Sequence, residues 1–201
     1  MASPTSDVLT VADGCLLLSH RLTEWISNAP TMEEDVAIGN IALDLLGQAR
    51  GLYATFHGTE VGDEDQLAYF RDADQWRNPV ICELANGDFG HTMLRLLYVS
   101  TWLREVWQGW LDHPDEQIRG VAEKAVKENA YHLRHAGSWV TRLDDGTDES
   151  RERMAAARAM LAPYEESLLA ADDGTRPHTA DLRALLAEMQ SLAREHPGVT
   201  W

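Results

Sequence analysis

Lysine is nearly missing from this sequence: Lys124 and Lys127 are the only two in 201 residues, so almost all positive charge is arginine. Seventeen basic residues stand against thirty-three acidic ones, a net charge of −16. So negative a chain repels phosphate backbones and anionic headgroups, which argues against nucleic-acid and membrane binding. Long apolar runs are missing as well; the longest is far short of the roughly 20 residues that span a bilayer. The opening MASPTSDV has neither the basic region nor the apolar stretch of a signal peptide, so a cytoplasmic protein is expected. The two cysteines, Cys15 and Cys82, stand apart in no CxxC or zinc-ligand spacing. They exclude a disulfide framework and a thiolate metal site, and read as small buried apolar residues. No Gly-rich phosphate loop, Ser/His/Asp arrangement, nucleophilic-cysteine context or internal repeat occurs.

What the chain has is helical periodicity, with 44% hydrophobic residues, enough for one domain over 1–201 with a short N-terminal tail at 1–8. A Thr31-x-x-Glu34 capping box, followed by acidic residues that suit a helix N-terminus, opens the clearest helix. Its apolar side is Ile38, Ile41, Leu45, Leu52 and Phe56, with Gln48 in the same line and Asp44 at its edge. A third helix opens near Asn86-Gly87-Asp88-Phe89 and carries Phe89, Met93, Leu96, Ser100, Leu103, Trp107 and Trp110 inward. A fourth follows His113-Pro114-Asp115 with Ile118, Ala122, Ala125, Asn129, His132, Ala136, Trp139 and Leu143 inward. The first helix is less regular: Cys15, Leu18, Leu22 and Trp25 lie on one face, His20 and Glu24 on another. Residues 58–85 read as a long crossover with one short helix in DEDQLAYFRD, and two shorter C-terminal helices follow, one carrying Met154, Ala157, Leu161, Tyr164 and Leu168 and the other Leu182, Leu185, Leu186, Met189 and Leu192, with 170–181 as the loop between them. Two short-linked helix pairs joined by a long crossover give an all-α, ferritin-like bundle.

Ferritin-like bundles build di-iron sites from a Glu on each of two helices and an ExxH motif on each of the other two. Here the second and fourth helices carry the pentads Asp44-Leu45-Leu46-Gly47-Gln48 and Glu128-Asn129-Ala130-Tyr131-His132. Leu45 and Asn129 stand where each Glu would be, Gln48 replaces one His, and Ser100 holds the carboxylate position of the third helix. His132 remains; Glu24 joins it if the first helix is rotated suitably. These are too few ligands for a di-iron centre, and the polar set is expected to close on itself as a hydrogen-bonded core network. Asp44, Asp88, His91 and Glu128 offer a weaker alternative ligand set, although Asp88 reads as a helix-start residue. The remaining histidines fall in helix-end or surface contexts.

The blocks SHRLTEW, APTMEEDVAIGNIALDLLGQAR, GDEDQLAYFRD, KENAYHLRHAGSWVTRLDDGTDES and LLAEMQSLAREHPGVTW, in this order from about residue 9 to the C-terminus, resemble the PaaC-type subunit of bacterial phenylacetyl-CoA 1,2-epoxidase. That resemblance implies a ferritin-like subunit without a working di-iron centre and with no cofactor of its own. Its partners would be a PaaA-type catalytic subunit that keeps the metal ligands and a reductase carrying flavin and iron-sulfur. The multicomponent monooxygenase epoxidises the aromatic ring of phenylacetyl-CoA in aerobic phenylacetate breakdown. Family members have a longer segment where this chain crosses with ADDGTRPHTAD.

Two other readings stand beside the scaffold role: a stand-alone ferritin-like metal-binding oxidase with a degenerate site, and a helical interaction module. For the scaffold reading, Val99, Trp102 and Val106 form a second apolar line on the third helix and are the expected partner interface.

Overall fold

The computed structural model describes residues 4–60, 62–169 and 177–195. Among these, every regular element is helical. The long helices are α1 (Pro4–Thr23), α2 (Met32–Tyr53), α5 (Phe89–Gly109), α6 (Glu116–Asp144) and α7 (Asp148–Leu169); α3 (Glu64–Tyr69) and α4 (Val80–Glu83) lie in the crossover, and α8 (Ala180–Met189) and α9 (Ser191–Glu195) end the described chain. α1 packs on α2 and α5 on α6, while α2 meets α6 across the bundle and α7 lies against α5 and α6. One apolar cluster runs through all of it, from Val8 to Leu186.

Helix starts follow local chemistry. Thr31, in extended backbone, accepts a hydrogen bond from the Glu34 amide at 3.3 Å and opens α2. The return half of the expected capping box is not made: the Glu34 carboxylate turns inward and lies 3.1 Å from His135 Nε2 on α6. Asp88 accepts from the His91 amide at 2.8 Å and opens α5, and Asp115 accepts from the Gln117 and Ile118 amides at the start of α6. Asp88 is thus the helix-start residue its sequence context indicates.

α1 departs most from its sequence reading. Of the expected tail at 1–8, residues 4–8 are helical, opening at Pro4, a residue suited to a first turn, and 1–3 lie outside the described residues. From Val11 to Leu22 every residue except His20 is buried, because α2 covers one side of α1 and α4 another. A helix enclosed on all sides shows no single apolar stripe.

The crossover is pinned by a buried ion pair. Arg71 grips both oxygens of Asp13, Nη1 to Oδ2 at 2.9 Å and Nη2 to Oδ1 at 2.5 Å. Tyr53 donates its hydroxyl to the same carboxylate at 2.6 Å, and the Arg77 amide donates at 2.8 Å. The Arg71 guanidinium also lies over the Trp76 ring, 4.1 Å from its centroid. Of the expected loop at 170–181, residues 177–179 are irregular and α8 takes over at Ala180; 170–176 lie outside the described residues.

Candidate functional site

The middle of the bundle brings the two pentads together with their ends exchanged. Gln48, the last residue of one, donates from Nε2 to Glu128, the first of the other, at 3.0 Å. His132, the last of the second, has its Nε2 3.1 Å from Asp44, the first of the first. The antiparallel run of α2 and α6 aligns two equal spacings, so each helix supplies one carboxylate and one partner for the other's. α1 contributes Cys15, whose thiol lies 3.7 Å from Gln48 Oε1. From α5 comes Ser100, whose backbone carbonyl accepts from Asn129 Nδ2 at 2.9 Å. Leu45, fully buried, is hydrocarbon in the place a ligating carboxylate would take.

The expected self-contained network is therefore different in kind. The amide of Gln48 and the imidazole of His132 turn to flanking carboxylates, and three buried atoms face inward with no hydrogen-bond partner: Ser100 Oγ, Asn129 Oδ1 and His132 Nδ1. Because a carboxylate only accepts, Asp44 fixes the proton of the neutral imidazole on Nε2 and leaves a bare lone pair on Nδ1. That is the posture of a metal-binding histidine, which donates its outer N–H to a carboxylate. Burial lowers the His132 pKa despite the opposing pull of Asp44 and Glu128. Burial also pushes the Cys15 thiol well above its ordinary value, which leaves it an un-ionised, inert sulfur.

One imidazole nitrogen, one amide oxygen and one hydroxyl carry no negative charge between them, whereas a di-iron centre needs several carboxylates to balance its cations. The residues at this position do not fit such a centre. Among the described residues no cluster of three or more His, Cys, Asp and Glu side chains is placed to hold a metal ion.

Glu24 is not brought to the centre. It falls beyond the end of α1, receives a 2.7 Å hydrogen bond from Arg21 and one at 2.9 Å from Asn86, and ties the α1 end to the segment before α5. Val99 is corrected too: it is fully buried in the chain's own core and offers nothing to a partner. Trp102 and Val106 are half-buried against that core, and a Cβ on Gly14 would lie 3.7 Å from the Trp102 ring. Sequence reading also passed over His178. Its Nδ1 is 2.7 Å from Glu83 Oε2 and its Nε2 3.0 Å from the Trp76 carbonyl. Two acceptors on one ring favour the imidazolium, and the Glu83 bond raises the His178 pKa against its burial. Glu83 is itself fully buried; burial pushes its pKa up, but the bonds from His178, Asn78 and Thr179 outweigh that and hold it low. The one sequence signal for this pair was a loop histidine beside a proline in ADDGTRPHTAD.

A family model described as phenylacetic acid catabolic protein, PaaA_PaaC, matches residues 3–177. The chain belongs to this family. The C-type subunit of 1,2-phenylacetyl-CoA epoxidase from Escherichia coli (strain K12) is 40% identical over 171 residues, which cover 84% of this chain and 68% of that protein. The family match begins earlier than the resemblance read from the sequence, at residue 3, and stops before the terminal LLAEMQ block. The all-helical architecture, with its paired long helices and crossover, is that of the ferritin-like family. No helix among the described residues is long and apolar enough to cross a membrane.

Proposed function

We propose that this chain is the structural, non-catalytic subunit of a phenylacetyl-CoA 1,2-epoxidase, paired in the cytoplasm with a homologous catalytic subunit that holds the di-iron centre. Oxygen activation and ring epoxidation belong to that partner, with electrons from a flavin and iron-sulfur reductase; this chain carries no cofactor. The observation that supports the reading best is the bundle centre. The orienting pairs Asp44–His132 and Glu128–Gln48 are present, while Leu45, Ser100 and Asn129 occupy positions where a metal centre needs carboxylates. Such an arrangement keeps the shape of a metal-bearing relative without its chemistry, which suits a scaffold beside it. Membership of the family and the likeness to the C-type component of an epoxidase point to the same role.

The test is co-expression with the homologous catalytic subunit. The expected outcome is a stable hetero-oligomer that turns over phenylacetyl-CoA when the reductase is added, with iron in the partner alone. Turnover by this chain by itself would favour the stand-alone oxidase, and a failure to pair would favour an unrelated helical module.

A further inference from the structure

We propose that the outer face of α2, the stripe Met32, Val36, Leu43 and Leu46, is where the homologous catalytic subunit packs, through an apolar helix face with a basic border. This inference rests on the pairing proposed above and assigns the surface that makes it. The four side chains are 80%, 58%, 65% and 39% exposed. Their spacing places them on one side of the helix, opposite the buried line of Ile38, Ile41, Leu45 and Leu52. α2 is thus apolar on two faces, and its own chain covers one. Four of the ten large apolar side chains exposed among the described residues fall on this one stripe. Scattered exposed apolar residues need no explanation, whereas a contiguous line of them on a surface this acidic marks an interaction site.

Gly39 lies in the same line between Val36 and Leu43, and a Cβ built on it would meet nothing within 4 Å. Nothing in the chain itself calls for glycine there, in mid-helix, where it is unfavourable. The close approach of another helix does.

Charge selects the occupant. Glu33 and Asp44 border the stripe on one side and Asp35 on the other; the two cations at the rim are already engaged, Arg50 by Glu64 at 3.1 Å and Lys124, which reaches it beside Gly47, by Glu128 at 3.1 Å. A second copy would set two chains of net charge −16 against each other. A basic-bordered partner meets the same rim with complementary charge. The third-helix surface expected from sequence does not compete, since Val99 is internal and Trp102 packs toward α1.

The experiment uses the full chain co-expressed with the homologous catalytic subunit. The double variant Val36→Glu/Leu43→Glu should stay folded alone, as both side chains are exposed, and lose about a hundredfold or more in affinity for the partner. Met160→Glu, on the exposed side of α7, should bind as wild type does. Independently of folding, peroxide oxidation of Met32 should be suppressed in the complex while Met160 stays reactive. A double variant that binds unchanged, or a Met32 equally oxidised free and bound, overturns the assignment while leaving the pairing intact. A wild-type homodimer dissolved by the same substitutions overturns it in favour of a second copy. Failure of the wild-type chain to pair at all removes the proposed function together with this surface.

Discussion

Replacing His132 by leucine separates a structural from a chemical role for the bundle centre. The variant loses a charge-assisted hydrogen bond to Asp44, of a type worth about 1.5–3 kcal/mol. Asp44 is one-third exposed, so water replaces the imidazole at its carboxylate and the loss falls toward the lower end. Against it, leucine removes Nδ1, a buried atom without a partner, whose burial costs about 1–3 kcal/mol. The two effects nearly cancel, leaving a net change of no more than about 1 kcal/mol, or a Tm moved by no more than about 2–4 °C for a domain of this size. The pH dependence carries the finer test. Burial holds the folded-state His132 pKa below its ordinary 6.5, so the group contributes stability above pH 6.5 that is lost as the pH falls through 6.5 toward the folded value. Leucine has no such dependence, and the gap between wild type and variant should therefore narrow on acidification from about pH 7.5 to about pH 5.5. Thermal unfolding across that range, with turnover of the reconstituted complex alongside, reads both effects. A gap that widens in acid would mean a charged His132–Asp44 pair and refute the neutral tautomer. Turnover lost in a complex of unchanged composition and stability would refute the non-catalytic reading.

The chain purified alone should contain no stoichiometric iron; about two iron atoms per chain by elemental analysis would contradict the donor-set argument. Asp13→Asn should cost about 3–5 kcal/mol by leaving the buried Arg71 guanidinium without its counter-charge, visible as a loss of Tm on the order of 10 °C. His178→Gln should destabilise the chain most below pH 6.5, because a raised folded pKa contributes stability that is lost as the pH rises through it; urea unfolding at acidic and alkaline pH checks that the gap shrinks upward.

The helices could be read from the sequence wherever one face is buried and the other wet. On α6, Ile118, Ala122, Ala125, Asn129, His132 and Ala136 are buried as their spacing indicates, and on α5 so are Met93, Leu96, Ser100, Leu103 and Trp107, while the stripe members toward the helix ends, Trp139, Leu143, Phe89 and Trp110, are only partly buried. On α1 the faces were legible, with Cys15, Leu18 and Leu22 buried and His20 not, but burial on nearly all sides leaves the rotation unset, and Glu24, conditional on that rotation, lies past the helix end at Thr23. Val99 looked like part of a second exposed line because spacing records which residues share a side of a helix, not what covers it. The exchanged pairs at the centre were half visible: matched Asp/Glu and Gln/His spacings are local, but their alignment depends on how α2 and α6 slide past one another. Asp13–Arg71 and Glu83–His178 join residues 58 and 95 positions apart, and no local periodicity reports such contacts.

The stretch from 177 to 195 acts as a stopper over groups that would otherwise meet water. Its His178 and Thr179 satisfy Glu83, Asp181 offers its carbonyl to Arg21 and its carboxylate to the Ala85 amide, and Gln190 bonds the Arg71 carbonyl. All of those recipients lie within the residues matched by the family model, which itself ends at residue 177. The edge of the family match is thus not the edge of the hydrogen-bonded unit. A chain cut at residue 177 would keep everything the family model matches and leave the Glu83 carboxylate, the Arg21 guanidinium and the Arg71 carbonyl at an opened seam, so the segment from His178 to Gln190 has to be counted as part of what makes the bundle watertight.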